Sequence, residues 1–167
     1  MNIGAIRILG VDPGLRQTGW GLIGSLGSRL AFIACGSIRT ESGSELAERL
    51  AFIHRELARL VEELTPDEGA IEETFVNRDP QSALKLGQAR GVALAALSLG
   101  GLKVAEYSAN LIKKTVVGVG HAEKEQVAMM VKTLLPMSEA KTPDAADALA
   151  VAICHAQHRS ARMRGVA

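Results

Sequence analysis

Four carboxylates sit where an apolar element of this 167-residue chain meets a loop or a helix start: Asp12, Glu72, Asp144 and Asp147. Asp12 closes the apolar run 6–11 and precedes Pro13-Gly14, the pattern of a strand entering a turn. Glu72 lies inside the apolar stretch Ala70-Ile71-Glu72-Glu73-Thr74-Phe75. Strand side chains alternate faces, so Glu72 and Glu73 point opposite ways, and one of them shares the side of Ala70 and Thr74. Asp144 and Asp147 are three apart on one predicted helix and share a face. Their neighbours Ala145, Ala146 and Ala148 leave nothing bulky to bar a cation. An acid within a sheet is costly unless it is paired or bound to metal. Carboxylates gathered in one cleft repel, and a hard divalent cation such as Mg²⁺, which prefers oxygen ligands, relieves that repulsion.

Each acid alone has an ordinary explanation. Asp before Pro-Gly is turn chemistry, an Asp in a first helical turn complements the helix dipole, and Glu72 is acceptable on an edge strand. Asp147 sits too deep in its helix to be explained by the dipole. The set carries more weight than any member, because independent accidents would have to coincide.

The elements that must position these acids can be read from periodicity. Runs 6–11, 18–23 and 30–38 read as three strands, an antiparallel meander. Residues 44–64 form an amphipathic helix, with Leu46, Leu50, Ile53, Leu57, Leu60, Val61 and Leu64 at spacings of three and four and Ser44 at its N-cap. A fourth strand is expected over 69–75, a helix over 80–99 and a fifth strand over 102–107. Helices follow at 109–116, 123–135 and 143–157, the last opened by Thr142 at N-cap, Pro143 at N1 and Asp144 in the first turn. The order β-β-β-α-β-α-β-α-α-α predicts an α/β fold, a five-stranded mixed sheet with helices on both faces. One domain spans 1–158, with a basic C-terminal tail over 159–167 that is expected to be disordered.

Composition narrows the class. Apolar residues make up 47% and charged residues 22%, which excludes a disordered or collagen-like chain. Two cysteines, Cys35 and Cys154, argue against a disulfide framework. The longest apolar run, 91–102, is too short to span a membrane. The N-terminus lacks a basic-then-apolar signal design, and a cytoplasmic location is expected. The net charge of +1 hides an asymmetry. Residues 1–77 hold 7 Lys/Arg against 11 Asp/Glu, whereas 78–167 hold 12 against 7, which suggests a polyanionic partner. With 3% aromatics, a stacking platform for single strands is disfavoured.

Taken in order, several stretches resemble the RuvC-type Holliday-junction resolvases of the ribonuclease H-like superfamily: I8-L-G-V-D-P-G14 with T18-G-W-G21, A70-I-E-E-T-F75, S82-A-L-K-L-G-Q-A-R-G91, T115-V-V-G-V-G120 with A122-E-K-E-Q-V127, and D144-A-A-D-A-L-A-V-A-I153. The resemblance implies a ribonuclease H-like fold, a homodimer and a Mg²⁺-dependent endonuclease that nicks two opposed strands of a four-way DNA junction symmetrically. It puts the family's acids on Asp12, Glu72, Asp144 and Asp147, its active-site lysines on Lys113 and Lys124, and its junction-opening aromatic on Phe75. It also implies a branch-migration helicase complex as partner.

Two metal ions about 4 Å apart can activate water and stabilise a leaving oxygen. On this reading Asp12 bridges both, Glu72 holds one, and Asp144 with Asp147 holds the other. Lys124, or else Lys113, meets charge on the phosphate. Arg78, Lys85, Arg90, Lys113, Lys114 and Lys124 are expected to contact phosphates. Ala83, Gly87, Gly91 and Ala95 form a small-residue stripe on one helix, which is expected to be the dimer contact unless it packs on the chain's own sheet. Other readings stay open here: a non-catalytic junction binder of the same fold, a nuclease of RNA:DNA hybrids, and an actin-like or sugar-kinase-type ATPase, whose first phosphate loop D12-P-G-L-R-Q-T-G19 resembles.

Overall fold

A computed structural model describes residues 4–73 and 79–163. The first strand, β1 (Ile6–Asp12), is nearly all apolar because it lies at the centre of the sheet and is covered on both faces. β2 (Gln17–Leu26) and β3 (Arg29–Arg39) follow as the antiparallel meander, with Asp12 opposite Gly19 and Gly10 opposite Gly21. β4 (Glu68–Glu73) and β5 (Lys103–Ser108) add in parallel on the other side of β1. The sheet order is β3-β2-β1-β4-β5, the mixed five-stranded sheet expected from the sequence.

Helices cover both faces. α1 (Leu46–Leu64) and α2 (Pro80–Leu99) bury Ile53, Leu57, Ala93 and Leu97 against Leu9, Val11, Leu22 and Ile71. α3 (Ala109–Val117), α4 (Lys124–Leu134) and α5 (Pro143–Met163) cover the opposite face, with Leu149 and Ile153 against Ile8, Ile23 and Ala70. Alternation along β1 therefore sends Ile8, Gly10 and Asp12 towards α5, and Leu9 and Val11 towards α1 and α2.

Among the boundaries that differ from the sequence reading, two have a clear physical cause. α1 starts at Leu46, with Glu45 at its cap, because Ser44 is held in a preceding turn by its N–H to the Glu41 carbonyl. α5 continues six residues past 157, and its Arg159 lies within the helix and pairs with Glu68 of β4. β4 is described only to Glu73; the rest of the expected strand, with Phe75 and Arg78, falls outside the described residues. The start of α5 is as expected, and Thr142 Oγ1 accepts the Ala145 N–H at 3.3 Å. No helix among the described residues is long and apolar enough to cross a membrane.

Candidate active site

The sheet edge at the C-terminal ends of β1 and β4 opens into a cleft of about 200 Å³. Asp12, Glu72, Asp147, Lys113 and Lys124 line it, between apolar walls from Ala109, Ile112, Val127 and Ala150. Asp12 and Glu72 each lie one residue beyond Val11 and Ile71, the last paired rung of two parallel neighbours, so both leave the sheet at the same level. The turn after Asp12 is fixed by the buried Thr18, whose hydroxyl donates to the Gly14 carbonyl at 2.8 Å and accepts the Gly14 N–H at 3.2 Å.

Asp144 and Asp147 arrive on α5, which lies almost on the backbone of β1 and β2. Three glycines make this possible. A Cβ on Gly19 would fall 2.0 Å from the Asp144 carbonyl oxygen, and one on Gly10 would fall 2.2 Å from the Ala148 carbonyl oxygen. On Gly21 a Cβ would reach the Leu149 side chain at 2.7 Å. Asp144 sits at the rim, half-buried and close enough to Asp12 and Asp147 to raise the pKa of both.

The lysines enter from the helices that roof the cleft. β5 runs straight into α3 through Ser108, whose hydroxyl caps the Leu111 N–H at 3.3 Å, and Lys113 projects one turn later. Lys124 is the first residue of α4, a start closed by the Gln126 side-chain oxygen, which accepts the Glu123 N–H at 2.8 Å. Its Nζ lies 3.4 Å from Asp147 Oδ2, with the lysine side chain 76% exposed.

Crowding shows in the acidities. Burial pushes Asp12 up to about 8, and the charges of Glu72, Asp147 and Asp144 add to the shift against the pull of Lys124. Burial raises Glu72 to about 7, with Asp147 adding and Lys124 and Lys113 opposing. Asp147 is also raised, mainly by burial, and Lys124 is raised chiefly by Asp147. Burial, with the neighbouring carboxylates adding to it, therefore favours the protonated form of each of these acids. Among the described residues no three His, Cys, Asp or Glu side chains close around a single point as they stand. The donor set is nonetheless all hard oxygen, and the acids fringe one cleft, which fits a small divalent cation.

The other expected contacts lie elsewhere. Lys114 and Lys85 are exposed on α3 and α2, outside the cleft lining. The Arg90 guanidinium pairs with Glu106 of β5 and is only 23% exposed. That pair lies on the α1/α2 side of the sheet, since Glu106 alternates with Ala105 and Tyr107, which face α5. Sequence reasoning missed the roles of Gly10, Gly19, Gly21 and Thr18. Their signal is a set of glycines on paired strands matched by an alanine-rich helix.

The family profile described as crossover junction endodeoxyribonuclease RuvC matches residues 8–155. The chain belongs to that family. A RuvC crossover junction endodeoxyribonuclease of Methylocella silvestris is 70% identical over 162 residues, covering 97% of this chain and 92% of that protein. The structure described as Thermus thermophilus RuvC in complex with Holliday junction substrate superposes with a TM-score of 0.84 at 33% identity, covering 96% of this chain and 97% of that one. The yeast mitochondrial Holliday junction resolvase shares the fold, with a TM-score of 0.70 at 11% identity. Membership of the RuvC family makes this chain a nuclease of DNA recombination and repair, and sets aside the ATPase reading.

Proposed function

We propose that the chain resolves four-way DNA junctions by paired symmetric nicks, with Asp12, Glu72, Asp144 and Asp147 holding two Mg²⁺ ions beside the scissile phosphate. The observation that carries this reading is the pair of half-buried carboxylates, Asp12 and Glu72, facing Asp147 and two lysines across one cleft, with the acidity of both suppressed. Bound divalent ions supply an activated water and stabilise the departing oxygen. The chain's own groups do the remaining work. Asp12, on the rigid central strand, fixes the origin of the site, and the turn pinned by Thr18 keeps it there. Lys124 is exposed enough to leave Asp147 and meet the negative charge that grows on the phosphate, with Lys113 supporting it. The apolar walls Ile112 and Val127 keep the dielectric low, which strengthens these interactions. Departure of the sugar O3′ leaves 5′-phosphate and 3′-hydroxyl ends.

Phe75 serves as the wedge that stacks on an opened base, worth about 1–3 kcal/mol. Arg78, Lys85, Lys113, Lys114 and Lys124 contact phosphates, and Arg90, tied to Glu106, contributes least. A homodimer supplies the second nick, and a branch-migration helicase complex delivers the junction in the cytoplasm. The test is Asp12→Asn on a synthetic mobile junction. Binding persists, while Mg²⁺-dependent cleavage falls by at least about a thousandfold, as for loss of a group that acts in the transition state. Retained cleavage removes Asp12 from the mechanism.

A further inference from the structure

The two elements that meet in the cleft meet again at its far end, through side chains the proposed chemistry does not use. Arg159 of α5 forks onto Glu68 at the start of β4, donating from Nε at 3.0 Å and from Nη2 at 2.6 Å. His155 Nε2 lies 2.8 Å from Glu68 Oε2, and its Nδ1 lies 2.8 Å from the Tyr107 hydroxyl. Tyr107 and His155 are buried. Arg159 holds the Glu68 carboxyl below the usual carboxylate range.

The spacing ties this cluster to the cleft. Glu68 and Glu72 are four residues apart on one strand, hence on one face and about 13 Å apart. Asp147 and His155 are eight apart on one helix, hence close to one face and about 12 Å apart. The two steps match, so the same two elements face each other at both ends, Glu72 across the cleft from Asp147 and Glu68 bonded to His155 behind it. Tyr107 is the ladder neighbour of Glu72 on β5, and its ring reaches from that level back to His155.

Near the cleft α5 rests almost on the backbone of β1 and β2, with Gly10 under Ala148 and Ala152 and Gly21 under Leu149. Further along, Leu149 and Ile153 pack on Ile8 and Ile23. This apolar contact sets how close the helix comes, but it is not directional. A fork between a guanidinium and a carboxylate is directional, and its two parallel bonds add geometric specificity as well as energy. A slip of one residue would move Asp147 by about 1.5 Å and turn it by about 100°.

We propose that Glu68, His155, Arg159 and Tyr107 form a register clamp that fixes α5 along the sheet and so sets the spacing of Asp144 and Asp147 from Asp12 and Glu72. They are positioning residues, and the proposal rests on the reading of the cleft as a divalent-cation site. The experiment is calorimetric titration of Mn²⁺ into the full chain without DNA, comparing the native protein, Glu68→Gln, Arg159→Lys and a control, Leu57→Ala, which opens a cavity in the other core. Loss of a supporting partner weakens Mn²⁺ binding about tenfold in Glu68→Gln, and Arg159→Lys, which keeps the charge but not the fork, falls in between. Leu57→Ala lowers the melting temperature and leaves Mn²⁺ affinity within about twofold, which separates register from general destabilisation. Native-like affinity in both clamp variants overturns the clamp alone, and Arg159→Lys decides if Glu68→Gln does not fold. Absence of Mn²⁺ binding by the native chain overturns the cation-site reading and the clamp with it.

Discussion

Asp12 carries the crowding of the cleft in its proton affinity, and that fixes the pH dependence of the metal-free protein. Its folded pKa near 8 lies above the ordinary 3.8, so between these values the folded chain binds a proton that the unfolded chain releases. Stability from this group is full below the ordinary value and is lost as pH rises through the folded one. Glu72, raised to about 7, acts in the same direction. Glu68 acts oppositely: Arg159 keeps it ionised, so its contribution is lost on acidification. The metal-free melting temperature should therefore rise as pH falls from about 8 to about 5, then drop at lower pH. Asp12→Asn should remove most of the rise and melt higher than the native chain at pH near 8, by about 2–4 °C per kcal/mol of repulsion relieved. Thermal melts in chelator across this range are the check, and a native profile flat over it would contradict the acidities. At this scale much was legible: the four acids stood out by type and position, and the family resemblance pointed to Lys113 and Lys124. The pairing of Arg90 on α2 with Glu106 on β5, 16 positions on, was not legible, because no local pattern marks it.

At the scale of elements, the decisive contact is the bare backbone of β1 and β2 under α5. Gly19 has the least room, with the Asp144 carbonyl oxygen where its Cβ would be. Gly19→Ala should push the N-terminal turn of α5 outward, cost about 1–3 kcal/mol as overpacking does, and raise the Mg²⁺ concentration needed for cleavage. Melting temperature and a Mg²⁺ titration of nicking measure both effects, and an unchanged Mg²⁺ requirement would show that α5 does not depend on this close approach. The sequence placed the start of α5 through Thr142 and Pro143, since capping is local. Its end was set too early because the partner that holds Arg159, Glu68, is 91 residues away.

At the scale of the whole molecule, two nicks on opposed strands require two clefts, and a two-fold dimer matches a two-fold junction. The stripe on α2 is the proposed contact. Among the described residues, a Cβ added at Gly87 or Gly91 meets nothing within 4 Å, so these glycines are not needed for packing on the chain's own sheet. Gly91→Leu should therefore leave the protomer folded and sediment as a monomer, binding a junction more weakly and nicking one strand at a time. A dimeric Gly91→Leu protein would move the interface elsewhere. The sequence by itself determined the element order, the mixed sheet, the four acids and the family, because periodicity, capping and residue type are written locally or in ordered motifs. Only the tertiary structure decided which carboxylates share a cleft, how far their protons are held, that Arg90 turns to Glu106, and that Glu68 meets His155 and Arg159. Those facts depend on distances between segments far apart in the chain, and burial and Coulomb interaction follow distance in space, not position in sequence.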